Sequence, residues 1–232
     1  MQSPQHKRFA FCLFAFGFLA VVFFQSGCGI VSIVGTPTSH EKKILAEFDL
    51  AERTGQKILV LVNQPAYLDA DVNLRYYLTE AMREGLMAKI GLQPEDIVSY
   101  DDLFEYRSTQ SNFSMLSPVV VGRALGADMV LLLVVEDYQL TKMAEAGYYK
   151  GFLGVQAALF ETAAGEKVWP ESAEGKSIRV GFEVGGGGRE GAVERLANSC
   201  AYCTTRYFYD CPRDKFKIFD DKSSVDWESW KQ

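Results

Sequence analysis

A chain of 232 residues with 48% hydrophobic residues and a formal charge of −6 suits one domain of roughly 150 residues or a little more, with a leader and a tail. Loss of a leader that carries Lys7 and Arg8 brings the charge to −8, and an acidic body gains nothing by approaching nucleic acid or anionic lipid. Of the two histidines, His6 and His40, neither lies in the body, which leaves a histidine-based triad without its base.

His6, Lys7 and Arg8 precede an apolar run from Phe9 to Phe24, and Gln25-Ser26-Gly27-Cys28 follow at once. A basic start, an apolar core and small residues at the end are the marks of an export signal. Ser26-Gly27-Cys28 resembles the close of a bacterial lipoprotein signal, in which the cysteine is acylated and becomes the first residue. The resemblance implies a signal peptide over 1–27, a palmitate-type lipid on Cys28, and a body on the periplasmic face of a membrane. Gly29 in place of the Asp that favours inner-membrane retention points to the outer membrane. Gln25 departs from the pattern, which carries Leu or another apolar residue there. The alternatives are ordinary cleavage and an uncleaved inner-membrane anchor. Sixteen apolar residues fall short of the about 20 that span a bilayer, but Gly27 to Val34 is mild enough to extend a helix. All three readings export the body.

Residues 28–40 form a small-residue linker ending in GTPTSH, and 41–210 read as one α/β domain. Glu41 to Arg53 predicts a short amphipathic turn or helix with Ile44, Leu45 and Phe48 on its apolar side. Lys57 to Val62, KILVLV, is a continuous apolar run, as expected of a strand covered on both faces. Asp71 to Ile90 is the clearest helix, with Leu74, Leu78, Met82, Leu86 and Ile90 at helical spacing and Arg75 and Glu80 facing away. Asp71 is placed to cap it and Gly91 to end it. Asp96 to Tyr100 reads as a second, shorter strand, and Asp101 to Phe113 as a helical turn and loop. Ser117-Pro118 opens a brief helix that closes at Gly126, and Asp128 to Leu140 follows as a long buried strand. Tyr148 to Phe160 and Lys167 to Val184 are further strands, joined by a hairpin turn at 163–166. Trp169-Pro170 marks an edge or a bulge in the second. A long helix runs from about Arg189 to Tyr209, and 211–232 is a charged, aromatic tail. This order predicts an α/β sandwich: one mixed sheet with helices packed mainly on one face.

Val121 to Leu140, VGRALGADMVLLLVVEDYQL, resembles a recurring unit of exported bacterial proteins. These are the amino-terminal domain of TolB, the curli-secretion lipoprotein CsgG and the lipoprotein LpoB, an activator of a peptidoglycan synthase. Thr162 to Trp169 matches the "sg…vW" turn of the same domain. Phe48 to Val62 also resembles the opening of envelope lipoproteins of planctomycete type. The resemblance covers about Lys57 to Tyr209 and implies the sandwich fold. Its motifs are packing motifs, and fold does not specify function.

The candidate sites are few. Gly185 to Gly188 lacks the Lys-Ser/Thr ending of a phosphate loop and reads as a connector. Cys200 and Cys203 lie mid-helix, with too few partners for a metal site and no helix start to lower a thiol pKa. They read as core residues, with a Cys203–Cys211 bridge as the alternative. Asp101-Asp102 and Glu136-Asp137 are carboxylate pairs that solvation explains. Phe216, Phe219, Trp227 and Trp230 are either partner-docking residues or a tail folded back on the domain. No cofactor is expected. The leading expectation is a membrane-anchored, non-enzymatic lipoprotein whose domain binds an envelope protein. An enzyme or small-ligand binder with a site at the strand ends near Asn63–Tyr67 and Asp101–Tyr106 is the alternative. A homo-oligomer or a subunit of a secretion assembly is a further one.

Overall fold

The computed structural model describes residues 43–212, apart from 54, 69, 70, 72, 145, 146 and 186. The leader, Cys28, the linker through His40, and tail residues Phe216, Phe219, Trp227 and Trp230 lie outside the described residues. The elements, in chain order, are β1 (Lys43–Ile44), β2 (Ile58–Asn63), α1 (Leu74–Ile90), α2 (Tyr100–Thr109), α3 (Pro118–Ala124), β3 (Met129–Lys142), β4 (Tyr148–Glu161), β5 (Glu166–Trp169), β6 (Lys176–Gly185), α4 (Gly188–Thr205) and β7 (Cys211–Pro212).

Strand β2 runs parallel to β3, and β3 antiparallel to β4. A parallel pair needs a long crossover, which α1, α2 and α3 supply. Strands β5 and β6 share the far side of β4 end to end, with the Trp169–Pro170 peptide between them. The sheet is therefore mixed, as the order of elements predicts. Every residue of β2 except Asn63 is buried, because helices cover this strand on both faces.

The two long helices, α1 and α4, lie on one face. Leu78, Met82 and Leu86 of α1 and Leu196, Ala197 and Cys200 of α4 share a core with Val60, Leu131, Leu133, Leu153 and Val155. The opposite face is covered over β2, β3 and the Phe160 end of β4. There Leu103 of α2 and Val121 of α3 pack with Ala127 on Leu59, Leu61 and Val130. A bulge between Val135 and Asp137 shifts the β3 register, and Tyr138 then resumes the inner face.

Gly126, at φ 67°, ends the turn after α3, and Asp128 closes the corner before β3. Its carboxylate accepts the Lys57 N–H at 2.8 Å, and its own N–H donates to the Lys57 carbonyl at 2.7 Å. The starts of the two parallel strands are thereby tied together. At the other end of the fold, Arg189 Nε meets Asp71 Oδ2 at 2.9 Å, and the Tyr77 hydroxyl donates to Glu190. These contacts join the first turns of α1 and α4.

Three segments depart from expectation. The run before β2 is amphipathic with the alternation of an extended chain rather than of a helix: Ile44, Phe48 and Leu50 face the domain and Leu45 does not. It is an extended strap ending in a short 3-10 turn (Ala51–Arg53), with Leu45 74% exposed and Leu50 fully buried. Its N–H groups at Glu47, Phe48 and Leu50 donate to the carbonyls of Tyr207 and Phe208, so partners distant in sequence replace helical ones. Asp96 to Tyr100 is not a strand: Ile97 makes one bridge to Ile58. Ser99 then accepts the Asp102 N–H at 3.1 Å and starts α2. That cap also explains why 100–109 is a complete helix rather than a turn and loop. Asp71 does not cap α1 with its side chain at the N-cap position, which Asn73 occupies.

Gly122 is the point where α3 touches the sheet. A Cβ there would fall 2.4 Å from Val130 Cγ2 and 2.8 Å from Thr162 Cγ2. Overpacking of this kind costs about 1–3 kcal/mol, which outweighs the gain of up to about 1 kcal/mol in helix propensity. Gly122→Ala is expected to lower the urea midpoint at unchanged m value.

Candidate functional site

Beside the last residues of β2, where the chain turns towards α1, a cleft of about 430 Å³ opens between β2, α1, α2 and the 110–118 segment. That is within the roughly 300–1,000 Å³ of small-molecule sites. Its lining includes the apolar side chains of Leu61, Leu116, Val121 and Leu132, together with Asn63, Gln64, Gln110 and two arginines, Arg75 and Arg107.

Both arginines are half-buried, and helix geometry puts them there. Leu103, Tyr106 and Arg107 share one side of α2 at helical spacing. The first is buried under the helix and the second packs beside it, so Arg107 is drawn inwards with them. Its Nη2 donates to the Val62 carbonyl at 3.3 Å, and its guanidinium stands 4.6 Å from the centre of the Phe113 ring. Arg75, in the first turn of α1, lines the same cleft rather than facing away from the domain. Among the described residues neither arginine forms an ion pair. The Nε atoms of both are buried with no hydrogen-bond partner there, a situation that costs about 1–3 kcal/mol per donor. Burial, and next the charge of Arg75, lower the Arg107 pKa to about 10. The Arg107 guanidinium remains protonated at neutral pH.

An aromatic row runs along the surface next to these arginines. Tyr76 meets Tyr100 edge to face with ring centres 5.2 Å apart, and Tyr100 stacks on Phe104 at 6.2 Å. Phe104 is 59% exposed and Tyr76 46%, although both are large apolar groups that ordinarily find cover.

Of the strand-end region expected from sequence, Asn63 and Gln64 line the cleft, while the 101–106 residues contribute the aromatic row through Phe104. The carboxylate pairs serve elsewhere. Asp102 accepts from its cap partner Ser99 at 2.7 Å, and Glu136 from Gln156 at 3.3 Å beside the β3 bulge. Cys200 and Cys203 both belong to the core under the sheet, Cys203 fully rather than at its margin. Cys211 is buried as well, and no disulfide joins Cys203 to Cys211. Arg75 and Arg107 are the residues that pattern reading passed over. The available signal was an arginine on the apolar side of α2.

No family model matches the chain, and no curated protein matches it at a significant level. Several solved structures do, and they include bacterial lipoproteins. Lipoprotein GNA1162 from Neisseria meningitidis is 17% identical, over 61% of this chain and 92% of that one, with a TM-score of 0.37. The PelC dodecamer from Paraburkholderia phytofirmans is 15% identical, over 72% and 97%, at 0.37. The LpoB C-terminal domain from Salmonella enterica is 17% identical, over 56% and 83%, at 0.33. At such values none of them carries an argument about this chain, and the site is read from its own residues.

Burial pushes the Cys200 thiol up to about 12 and raises that of Cys203 also. A neutral buried thiol is unreactive. The unfolded chain sheds the Cys200 proton above about pH 9 while the folded one retains it. Its contribution is therefore complete below about pH 9 and is lost as pH rises towards about 12. Urea titrations across this window should show a shallower alkaline loss of stability in Cys200→Ala than in the wild type. A thiol reagent at neutral pH should label Cys200 and Cys203 only after unfolding.

Proposed function

We propose that this chain is exported, held on the periplasmic face of an envelope membrane through acylated Cys28, and works there as a non-catalytic module that binds another envelope protein. The basic start, the apolar run and Ser26-Gly27-Cys28 support the anchor. Among the described residues no helix is long and apolar enough to cross a membrane.

The observation that carries the binding reading is the exposed row Tyr76–Tyr100–Phe104. Clustered aromatic side chains at the surface act as anchors in protein interfaces, because each removes a large area from water at low conformational cost. Asp101, Asp102 and Glu105 stand exposed on α2 around Phe104. The partner surface this face fits has an apolar centre and a basic rim. Phe216, Phe219, Trp227 and Trp230 of the tail are proposed as a second docking element.

Two measurements test this reading. A palmitate analogue should label the protein in cells, and Cys28→Ala should abolish the labelling; label retained in that variant rejects the anchor. A photo-reactive residue at Phe104 should cross-link one discrete envelope protein in intact membranes. With that partner purified, Phe104→Ala should weaken binding by about tenfold or more, and Glu105→Lys should weaken it and reduce its dependence on salt. Unchanged affinity in both variants rejects this face as the interface.

A further inference from the structure

The arginine cleft is a second feature, separate from the aromatic row and unexplained by a protein partner lying on that row. Two guanidinium groups enter one cavity with like charge and no carboxylate paired to either among the described residues. Each has a buried Nε without a hydrogen-bond partner there. A structural arginine normally gains an anion or a set of carbonyls. Arg107 has one carbonyl and a ring, and Arg75 has no side-chain bond of either kind. An occupant that suits two such groups is negative and offers several acceptor atoms at once.

We propose that this cleft binds a small amphipathic anion, its oxyanion head held by Arg75 and Arg107 and its short apolar body lying against Leu116, Val121 and Leu132. The planar fork of each arginine matches the spacing of two oxygens on one carboxylate or phosphate. A head group held by both guanidinium groups offsets their mutual repulsion and accepts from their Nη donors. Gln64 and Gln110 in the lining supply further donors. The apolar lining residues favour a ligand with a hydrocarbon part over a bare inorganic ion, since those side chains add affinity only when hydrocarbon covers them. The volume of about 430 Å³ accommodates such a molecule but not a folded segment of a protein.

This inference rests on the reading of the domain as a binding module, and it deepens that reading by naming a ligand class. Its test uses the detergent-solubilised full-length protein without any partner, so its failure leaves the cross-linking result at Phe104 untouched. Calorimetric titration would compare hexanoate and hexyl phosphate with acetate, inorganic phosphate and hexyltrimethylammonium. The hexyl anions should bind saturably and at least about tenfold more tightly than the bare ions, and the cation should not bind. Arg75→Gln is the informative variant, because the Arg75 side chain makes no bond in the fold that the substitution would break. It should weaken hexyl-anion binding by about tenfold or more while the melting temperature without ligand stays the same or rises. Arg107→Gln should also abolish binding, and its far-UV dichroism would show whether loss of the Val62 contact has unfolded it. Absence of saturable binding by every anion overturns the proposal. So does equal binding of the hexyl cation, or unchanged affinity in folded Arg75→Gln.

Discussion

The antiparallel ladder between β3 and β4 is the constraint on which the rest of the domain depends. It runs unbroken but for one bulge, from Met129 opposite Glu161 to Lys142 opposite Tyr149. Every other strand of the main sheet is added to it: β2 on one side, β5 and β6 on the other. Its inner face presents Leu131, Leu133, Val135, Leu153 and Val155, and a sheet with one continuous apolar face has to be covered. Helices α1 and α4 do this together, and the contacts of Asp71 with Arg189 and of Tyr77 with Glu190 align their first turns. The cleft follows from that arrangement. Because α1 begins just beyond the end of β2, Arg75 stands over the strand end, and α2 brings Arg107 to the same place from the other face.

The two faces of the sheet have different roles. The face under α1 and α4 holds most of the buried core, including Cys200, Cys203, Tyr202 and Phe208. The face under α2 and α3 is thinner, covers β2, β3 and the Phe160 end of β4, and contributes α2 to both features offered for recognition. Short helices packed by few residues leave the end of β2 partly open. Phe113 on the following segment fills only part of that space, through its contacts with Tyr106 and Arg107. A donor left unsatisfied in such a position lowers stability. Unpaired arginines kept at a cavity wall are therefore one place among the described residues where stability is given up, as is common at binding sites.

Membrane attachment and binding would act at different parts of the chain. Strands β1 and β7 pair Lys43 with Pro212 and Ile44 with Cys211, so the first and last described residues lie side by side. The aromatic row and the cleft belong to α1 and α2, which lie outside this pairing. In the proposed arrangement the anchor holds the domain by the strap while α1 and α2 meet the partner.

The long periodic segments were legible from residues alone. KILVLV read as a strand covered on both faces, and Asp71 to Ile90 as an amphipathic helix. Trp169-Pro170 marked the break between the two edge strands, and Ser117-Pro118 and Gly126 bracketed α3, since proline, serine and glycine act through local backbone geometry. The strap before β2 and the helix 100–109 were not legible. The strap's backbone partners lie more than 150 residues away at Tyr207 and Phe208, and α2 is held by its cap and by Leu103 alone among its fully buried residues. The sequence by itself determined the α/β class and the burial of the α4 cysteines, because each depends on a pattern within a few turns of chain. Only the tertiary structure decided that Arg75 and Arg107 meet, because they lie on different helices and no periodicity relates them. Their juxtaposition arises from packing α1 and α2 on opposite faces of the same strand.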